Sequence, residues 1–240
     1  MPDSSISLSP IAFIESPYRE KFAIPRQPGL VPSAKGKVIL QAPFNQPDMV
    51  KGLEQFSHIW LIFNFHATQA QGWKPLVRPP RLGGNKKIGV LATRSTFRPN
   101  PIGMSVVKLE NITCNKQEVS LTISALDLLH GTPILDIKPY IPYSDAITQV
   151  NGSYADNAPE IVMSVEFSQQ AKQDLTAFNH EYPELEALIT EVLAQDPRPA
   201  YKKQTLDEKI YGMQLYDINI QWQLRDLSHI QVLSLKPKMK

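Results

Sequence analysis

The residues best suited to chemistry lie in one run, Thr93-Arg94-Ser95-Thr96-Phe97-Arg98-Pro99-Asn100-Pro101-Ile102-Gly103. It offers two guanidinium groups, hydroxyls and an amide on a backbone that Pro99, Pro101 and Gly103 keep out of helix and regular sheet. Such a stiff cationic loop can be a solvated turn or an anion-binding surface, and the surroundings favour the second. From Gln55 to Leu109 there is no Asp or Glu, while Lys74, Arg78, Arg81, Lys86, Lys87, Arg94, Arg98 and Lys108 all fall within that span. The whole chain carries a formal net charge of only +2. Positive charge is therefore gathered here and offset elsewhere, which points to a polyanionic partner.

Other routes to chemistry are missing. There is no GxGxxG turn after a strand, no GxxxxGK phosphate loop, no HExxH pair and no GxSxG elbow. His58 and His66 are eight apart, a spacing that does not bring two imidazoles to one helical face, so no metal site is expected. Cys114 is the single cysteine, which excludes an internal disulfide, and it reads as a small core residue at a strand end. His66 closes an apolar run. It is a packed or capping group unless other polar loops converge on it.

The elements that must hold these groups are strands. The 21 prolines interrupt the apolar runs and stop helices, which favours a strand-and-loop architecture. Residues 11–14, 37–42, 56–65, 87–92, 104–109, 118–126 and 134–140 read as about seven strands, enough to close a small barrel. Of these, 56–65 is apolar nearly throughout, as expected of a strand buried on both faces, and 118–126 alternates with period two. Residues 47–53 suit a short helix capped by Asn45. Residues 71–84, with Trp73, three prolines and three cations, resemble a functional loop.

Residues 149–159 are polar and turn-rich and read as a linker between a barrel domain, 1–148, and a smaller α+β domain, 160–240. The latter is expected to hold a strand at 161–167, a helix capped by Ser168, a second helix opened by Pro183, a proline-stiffened cationic loop at 195–203 and two closing strands near 210–216 and 218–224. The fold class is thus mainly β, a small closed barrel with a C-terminal α+β unit. No run approaches the ~18 apolar residues of a membrane helix, and the amino terminus lacks a secretory pattern. A cytoplasmic protein without a membrane partner is expected.

Several segments together carry a family resemblance: Pro25-Arg26-Gln27-Pro28-Gly29, Gly52-Leu53-Glu54-Gln55-Phe56-Ser57-His58-Ile59-Trp60, Arg78-Pro79-Pro80-Arg81-Leu82-Gly83-Gly84, the 93–103 run, His130-Gly131-Thr132-Pro133, and Asp136-Ile137-Lys138-Pro139-Tyr140. Over roughly its first 145 residues the chain resembles the TsaA-like, or TrmO, family. Ala194-Gln195-Asp196-Pro197-Arg198-Pro199-Ala200-Tyr201-Lys202 looks like the carboxy-terminal extension of that family's bacterial branch. The resemblance implies a TsaA-like β-barrel methyltransferase that uses S-adenosyl-L-methionine and forms a homodimer with the cofactor near the subunit interface. The implied substrate is N6-threonylcarbamoyladenosine beside the anticodon of threonine tRNA, bound through the anticodon stem-loop. Carried over by position, cofactor contacts fall on Pro25, Arg26 and Gln27, on His66 and Ala67, on Arg94, on Met104, and on Asp127, Leu128, Leu129 and His130.

That reaction moves a methyl group in line from sulfur to nitrogen, so positioning should dominate. The acceptor nitrogen is conjugated with purine and carbamoyl group, and something should take its proton. Asp127, His130 and Asp136 are candidates by type, among which the sequence does not choose. Arg94 and Asp127 could answer the cofactor's carboxylate and its cationic groups. Arg98, Asn100, Lys138 and Tyr140 suit phosphate, base-edge and stacking contacts with RNA. Arg198 and Lys202 would extend that footprint from the C-terminal domain. Two readings compete with the enzyme: a non-catalytic RNA-binding barrel, and a hydrolase using His66 or His130 with an aspartate, for which no nucleophile is recognisable.

Overall fold

The computed structural model describes residues 6–238 apart from 84, 117, 162, 200, 201 and 204. The first half holds β1 (Ala12–Glu15), β2 (Lys35–Leu40), β3 (His58–Asn64), a short ribbon of β4 (Leu76–Val77) and β5 (Ile88–Gly89), then β6 (Ile102–Cys114), β7 (Val119–Ser124) and β8 (Pro133–Pro139). Six of these close an antiparallel barrel in the order β1-β2-β7-β6-β3-β8, with β8 pairing back to β1. Closure leaves no free sheet edge.

Period-two alternation fills the barrel. Ile59, Leu61 and Phe63 of β3, Val107 of β6, Leu121 and Ile123 of β7, and Ile14, Val38 and Ile134 point inward and are at most 5 % exposed. Each such side chain contributes roughly 1.5–3 kcal/mol on leaving water. Gly103 serves the same packing: a Cβ there would lie 2.4 Å from the Phe63 ring and 2.8 Å from that of Phe65.

Several sequence expectations are corrected. β3 is not buried on both faces, because a strand in a closed barrel has one inner face; Trp60 and Ile62 on the outer face are half-buried. Of residues 87–92 only Ile88–Gly89 pair as strand, and Val90–Ala92 form a 3-10 turn. Residues 47–53 give two 3-10 turns, Pro47–Val50 and Leu53–Gln55, the first starting after Gln46 without a side-chain cap. Cys114 is exposed at the far end of β6 rather than in the core.

After a short helix α1 (Pro142–Asp145) the chain builds β9 (Ser164–Phe167), α2 (Gln169–Phe178), α3 (Leu185–Ala194), β10 (Tyr211–Leu215), β11 (Ile218–Leu224) and β12 (His229–Pro237). Ser168 caps α2, its Oγ accepting from the Ala171 amide at 3.0 Å. The sheet order is β10-β11-β12-β9, so the strand absent from the sequence reading, β12, sits inside the sheet and parallel to β9. The two units share one apolar core. Tyr18 of the barrel side is fully buried and bridges to Leu215, and Glu191 of α3 accepts from the Ser33 amide and hydroxyl.

Candidate active site at the barrel rim

One cavity of about 350 Å³ opens where the ends of β3 and β6 meet the loops after β1, β5 and β7. Each wall has a local cause. Phe65, whose amide donates to Pro101 O at 2.7 Å, starts the turn that presents His66 and Ala67. The Thr93–Arg98 wall is held by successive hydroxyl turns: Thr93 Oγ1 donates to Val90 O at 2.8 Å, and the Ser95 amide donates to Thr93 Oγ1 at 3.1 Å. Beyond β7, Ala125 takes a left-handed φ of 59°, which bends the chain so that Leu126 and Leu128 enter the core while Asp127 turns to the cavity.

The polar groups converge from distant parts of the chain. Arg94 Nη1 donates to Gln27 Oε1 at 2.6 Å. Asp127 Oδ1 accepts from Ser105 Oγ at 2.6 Å. Burial raises the Asp127 pKa from the ordinary 3.8 to about 6, against the opposing pull of the Ser105 hydrogen bond and the nearby Arg94 charge. Arg26 is likewise held below its usual basicity by burial, then by Arg81, with Asp196 acting in the opposite sense. Phe63 and Phe65 pack edge to face at 5.2 Å and form the apolar floor. Asn64 Oδ1, also in the wall, is buried without a hydrogen-bond partner among the described residues.

Of the residues singled out for a cofactor, Pro25, Arg26, Gln27, His66, Ala67, Arg94, Met104, Asp127, Leu128 and Leu129 all line this cavity. His130 does not. It lies behind the wall, where its Nδ1 accepts a long 3.4 Å bond from the Ser16 amide, and burial and then Arg19 lower its pKa. Among the three carboxylate or imidazole candidates for proton acceptance, Asp136 is also elsewhere: it pairs with Lys138 at 2.9 Å on the outside of β8. Only Asp127 reaches the cavity.

The RNA candidates divide. Arg98 lines the cavity, but its Nη1 donates to Thr93 O at 2.6 Å and so pins the loop, while Asn100 is exposed. Lys138 and Tyr140 stand apart on the barrel exterior, Tyr140 with its ring 6.1 Å from that of Trp60. Arg198 corrects the expectation of a surface cation. Its side chain is 0 % exposed and bound to both Asp196 oxygens and to the carbonyls of Lys202, Lys203 and Thr205. Lys202 is half-buried and 3.6 Å from Asp207. Sequence reasoning missed Asn64, Phe63, Phe65 and Ser105. The signal for the two phenylalanines is Gly103, a strand glycine that only makes sense opposite a large ring.

Among the described residues no group of three or more His, Cys, Asp or Glu side chains is arranged to hold a metal, and no helix is long and apolar enough to cross a membrane. Fold and cavity together define a barrel protein whose rim pocket presents both charge signs over an apolar floor. Comparison with known proteins makes this particular. Residues 13–146 match the tRNA-methyltransferase O N-terminal domain and residues 160–238 the TrmO C-terminal domain. The chain belongs to the tRNA-methyltransferase O family.

The tRNA (adenine(37)-N6)-methyltransferase of Escherichia coli K12 is 51% identical over 235 residues, covering 98% of this chain and 100% of the relative. A Pseudomonas aeruginosa protein provisionally named as an S-adenosylmethionine-dependent methyltransferase is 46% identical over 234 residues, covering 95% and 97%. The crystal structure of TrmO from P. aeruginosa superposes with a TM-score of 0.82 at 41% identity, over 98% of this chain and 99% of that one.

Proposed function

We propose that the chain transfers a methyl group from S-adenosylmethionine to N6 of an adenine in tRNA, its acceptor being the threonylcarbamoyladenosine beside the anticodon of threonine tRNA. The observation that carries this reading is the meeting of Arg94, Gln27 and Asp127 in one rim cavity with an aromatic floor. The activity in the name of the Escherichia coli relative supports the same assignment.

The residues present fit that cofactor. The cavity volume lies in the range of small-molecule sites. Arg94 and Arg26 would take its carboxylate, and the orphan acceptor Asn64 Oδ1 would be satisfied by an amine or hydroxyl donor. When bound, S-adenosylmethionine supplies an electrophilic methyl group on a sulfonium sulfur. Everything else falls to the chain. The Gln27–Arg94 and Ser105–Asp127 hydrogen bonds fix the directions of the two charged groups, so little reorganisation accompanies reaction.

Asp127 takes the proton from the acceptor nitrogen. A carboxyl with a pKa of about 6 is mostly ionised at neutral pH yet more basic than an exposed aspartate, which suits it to an acidified N–H. Ile102 and Met104 stand at the mouth and remain 40% and 50% exposed. A second copy laid along β6 would cover them and close the wall, so the working enzyme is a homodimer with its cavities at the interface, acting in the cytoplasm where tRNA is found. The test is to incubate protein, S-adenosylmethionine and bulk tRNA and digest the RNA to nucleosides for mass spectrometry. The threonylcarbamoyladenosine of threonine tRNA should gain one methyl group. Cofactor binding with no methylated nucleoside, or methylation of a different base, would refute the assignment.

A further inference from the structure

The cavity uses Arg94 and Arg98 but leaves most of the acid-free span without a role. That remainder is residues 72–92, the β4–β5 ribbon and its flanks. Arg78, Lys86 and Lys87 are exposed there and have no ion-pair or hydrogen-bond partner among the described residues. Beside them Trp73 is 59% exposed and Leu76 53%. Lone apolar residues at a surface are ordinary, whereas an exposed indole among unneutralised cations is an unusual pairing.

The ribbon is fastened to the cavity wall. The Lys74 amide donates to Phe97 O at 3.1 Å, and the Lys74 ammonium sits 4.5 Å over the Phe97 ring. The Val90 amide donates to Pro75 O at 3.0 Å. From the other side Tyr154, in the segment leading to the C-terminal unit, donates its hydroxyl to Ala92 O at 3.2 Å. The backbone that carries Trp73 and these cations is thus tied to the cavity wall before binding, so that what is left to order is the exposed side chains.

We propose that this ribbon grips the RNA substrate, with Trp73 stacking on an unpaired base that flanks the methylated adenine and Arg78, Lys86 and Lys87 neutralising phosphates of the same loop. The proposal rests on the tRNA reading of the cavity. Charge decides the kind of partner: a second copy meeting this surface through its own ribbon would bring like charges together, whereas an unpaired nucleic-acid loop offers both phosphates and bare π-faces.

The experiment uses the full-length protein as Trp73→Ala, Trp73→Phe and the triple change Arg78→Gln/Lys86→Gln/Lys87→Gln. It measures affinity for a threonine tRNA anticodon stem-loop as a function of salt, cofactor affinity by calorimetry, and mass by sedimentation. Trp73→Ala should weaken RNA binding roughly 5- to 150-fold with its salt slope intact, and Trp73→Phe should restore most of the loss. The triple change should lower the slope of log K against log salt by about 2. Cofactor affinity and sedimentation should stay as in the wild type. Wild-type RNA affinity in both Trp73→Ala and the triple variant, beside a wild-type protein that methylates tRNA, would overturn the ribbon's role alone. A wild-type protein that neither binds nor methylates tRNA would overturn the cavity reading with it. Dissociation of an oligomer by Trp73→Ala, with RNA binding unchanged, would assign the surface to a protein partner instead.

Discussion

Arg198 with Asp196 and Arg94 with Asp127 are the same two residue types in opposite circumstances. Arg198 is sealed in the C-terminal unit, bidentate to Asp196, with its remaining donors on three backbone carbonyls. Nothing is left over for a ligand. Arg94 is exposed, spends Nη1 on Gln27, and lies near a carboxyl that burial has made less acidic rather than fully paired. Both arginines follow the pattern of cations near prolines, and only the number of satisfied partners separates a brace from a binding group.

Substitution should separate the two arrangements. The largest effect should come from Asp127→Asn, which keeps the shape but cannot take a proton. Methyl transfer under single-turnover conditions should fall about 10²- to 10⁴-fold. In the wild type the rate should rise with pH through about 6 as Asp127 ionises. The same substitution should raise stability at neutral pH, on the order of 1 kcal/mol in urea unfolding. Because the folded pKa lies above the ordinary 3.8, the native state holds the proton more tightly than the unfolded chain. That stabilising contribution is complete below about pH 4 and is lost as pH rises through about 6. The advantage of asparagine should therefore fade toward pH 4.

Next in size is Arg198→Met. Removing one partner of a buried pair leaves the Asp196 carboxylate with the more distant Lys203 ammonium at 3.9 Å, and unfolding should become easier by about 3–5 kcal/mol, read from urea midpoints. Arg94→Ala should do the reverse: stability within about 0.5 kcal/mol of wild type, but cofactor affinity in calorimetry weakened roughly 10- to 100-fold. Smallest is Lys138→Ala. Its ion pair with Asp136 is 61% and 47% exposed, so the change should cost no more than about 0.5 kcal/mol and leave cofactor binding untouched.

How much of this was legible beforehand varied with the physics of each segment. The barrel strands announce themselves because an inner face must be apolar at every second residue, as in Leu121 and Ile123. β12 escaped because the register slips at a bulge: Val232 pairs with Trp222 and Ser234 with Gln221, leaving Leu233 as the extra residue that breaks the alternation. The cavity's segments were legible through family resemblance. Which groups face inward was not, since that depends on a left-handed Ala125 for Asp127 and on β8 geometry for Asp136. The burial of Arg198 has one local sign in the sequence, the aspartate two residues before it in Asp196-Pro197-Arg198.

The reaction proposed for the rim cavity is methylation of a threonylcarbamoyl-bearing adenine. Its most direct test is transfer of labelled methyl from S-adenosylmethionine to threonine tRNA, run side by side on transcripts with and without the threonylcarbamoyl group. Label entering only the modified tRNA is the expected result. Equal labelling of both would contradict recognition of that group, and label on neither, with cofactor bound, would contradict the reaction itself.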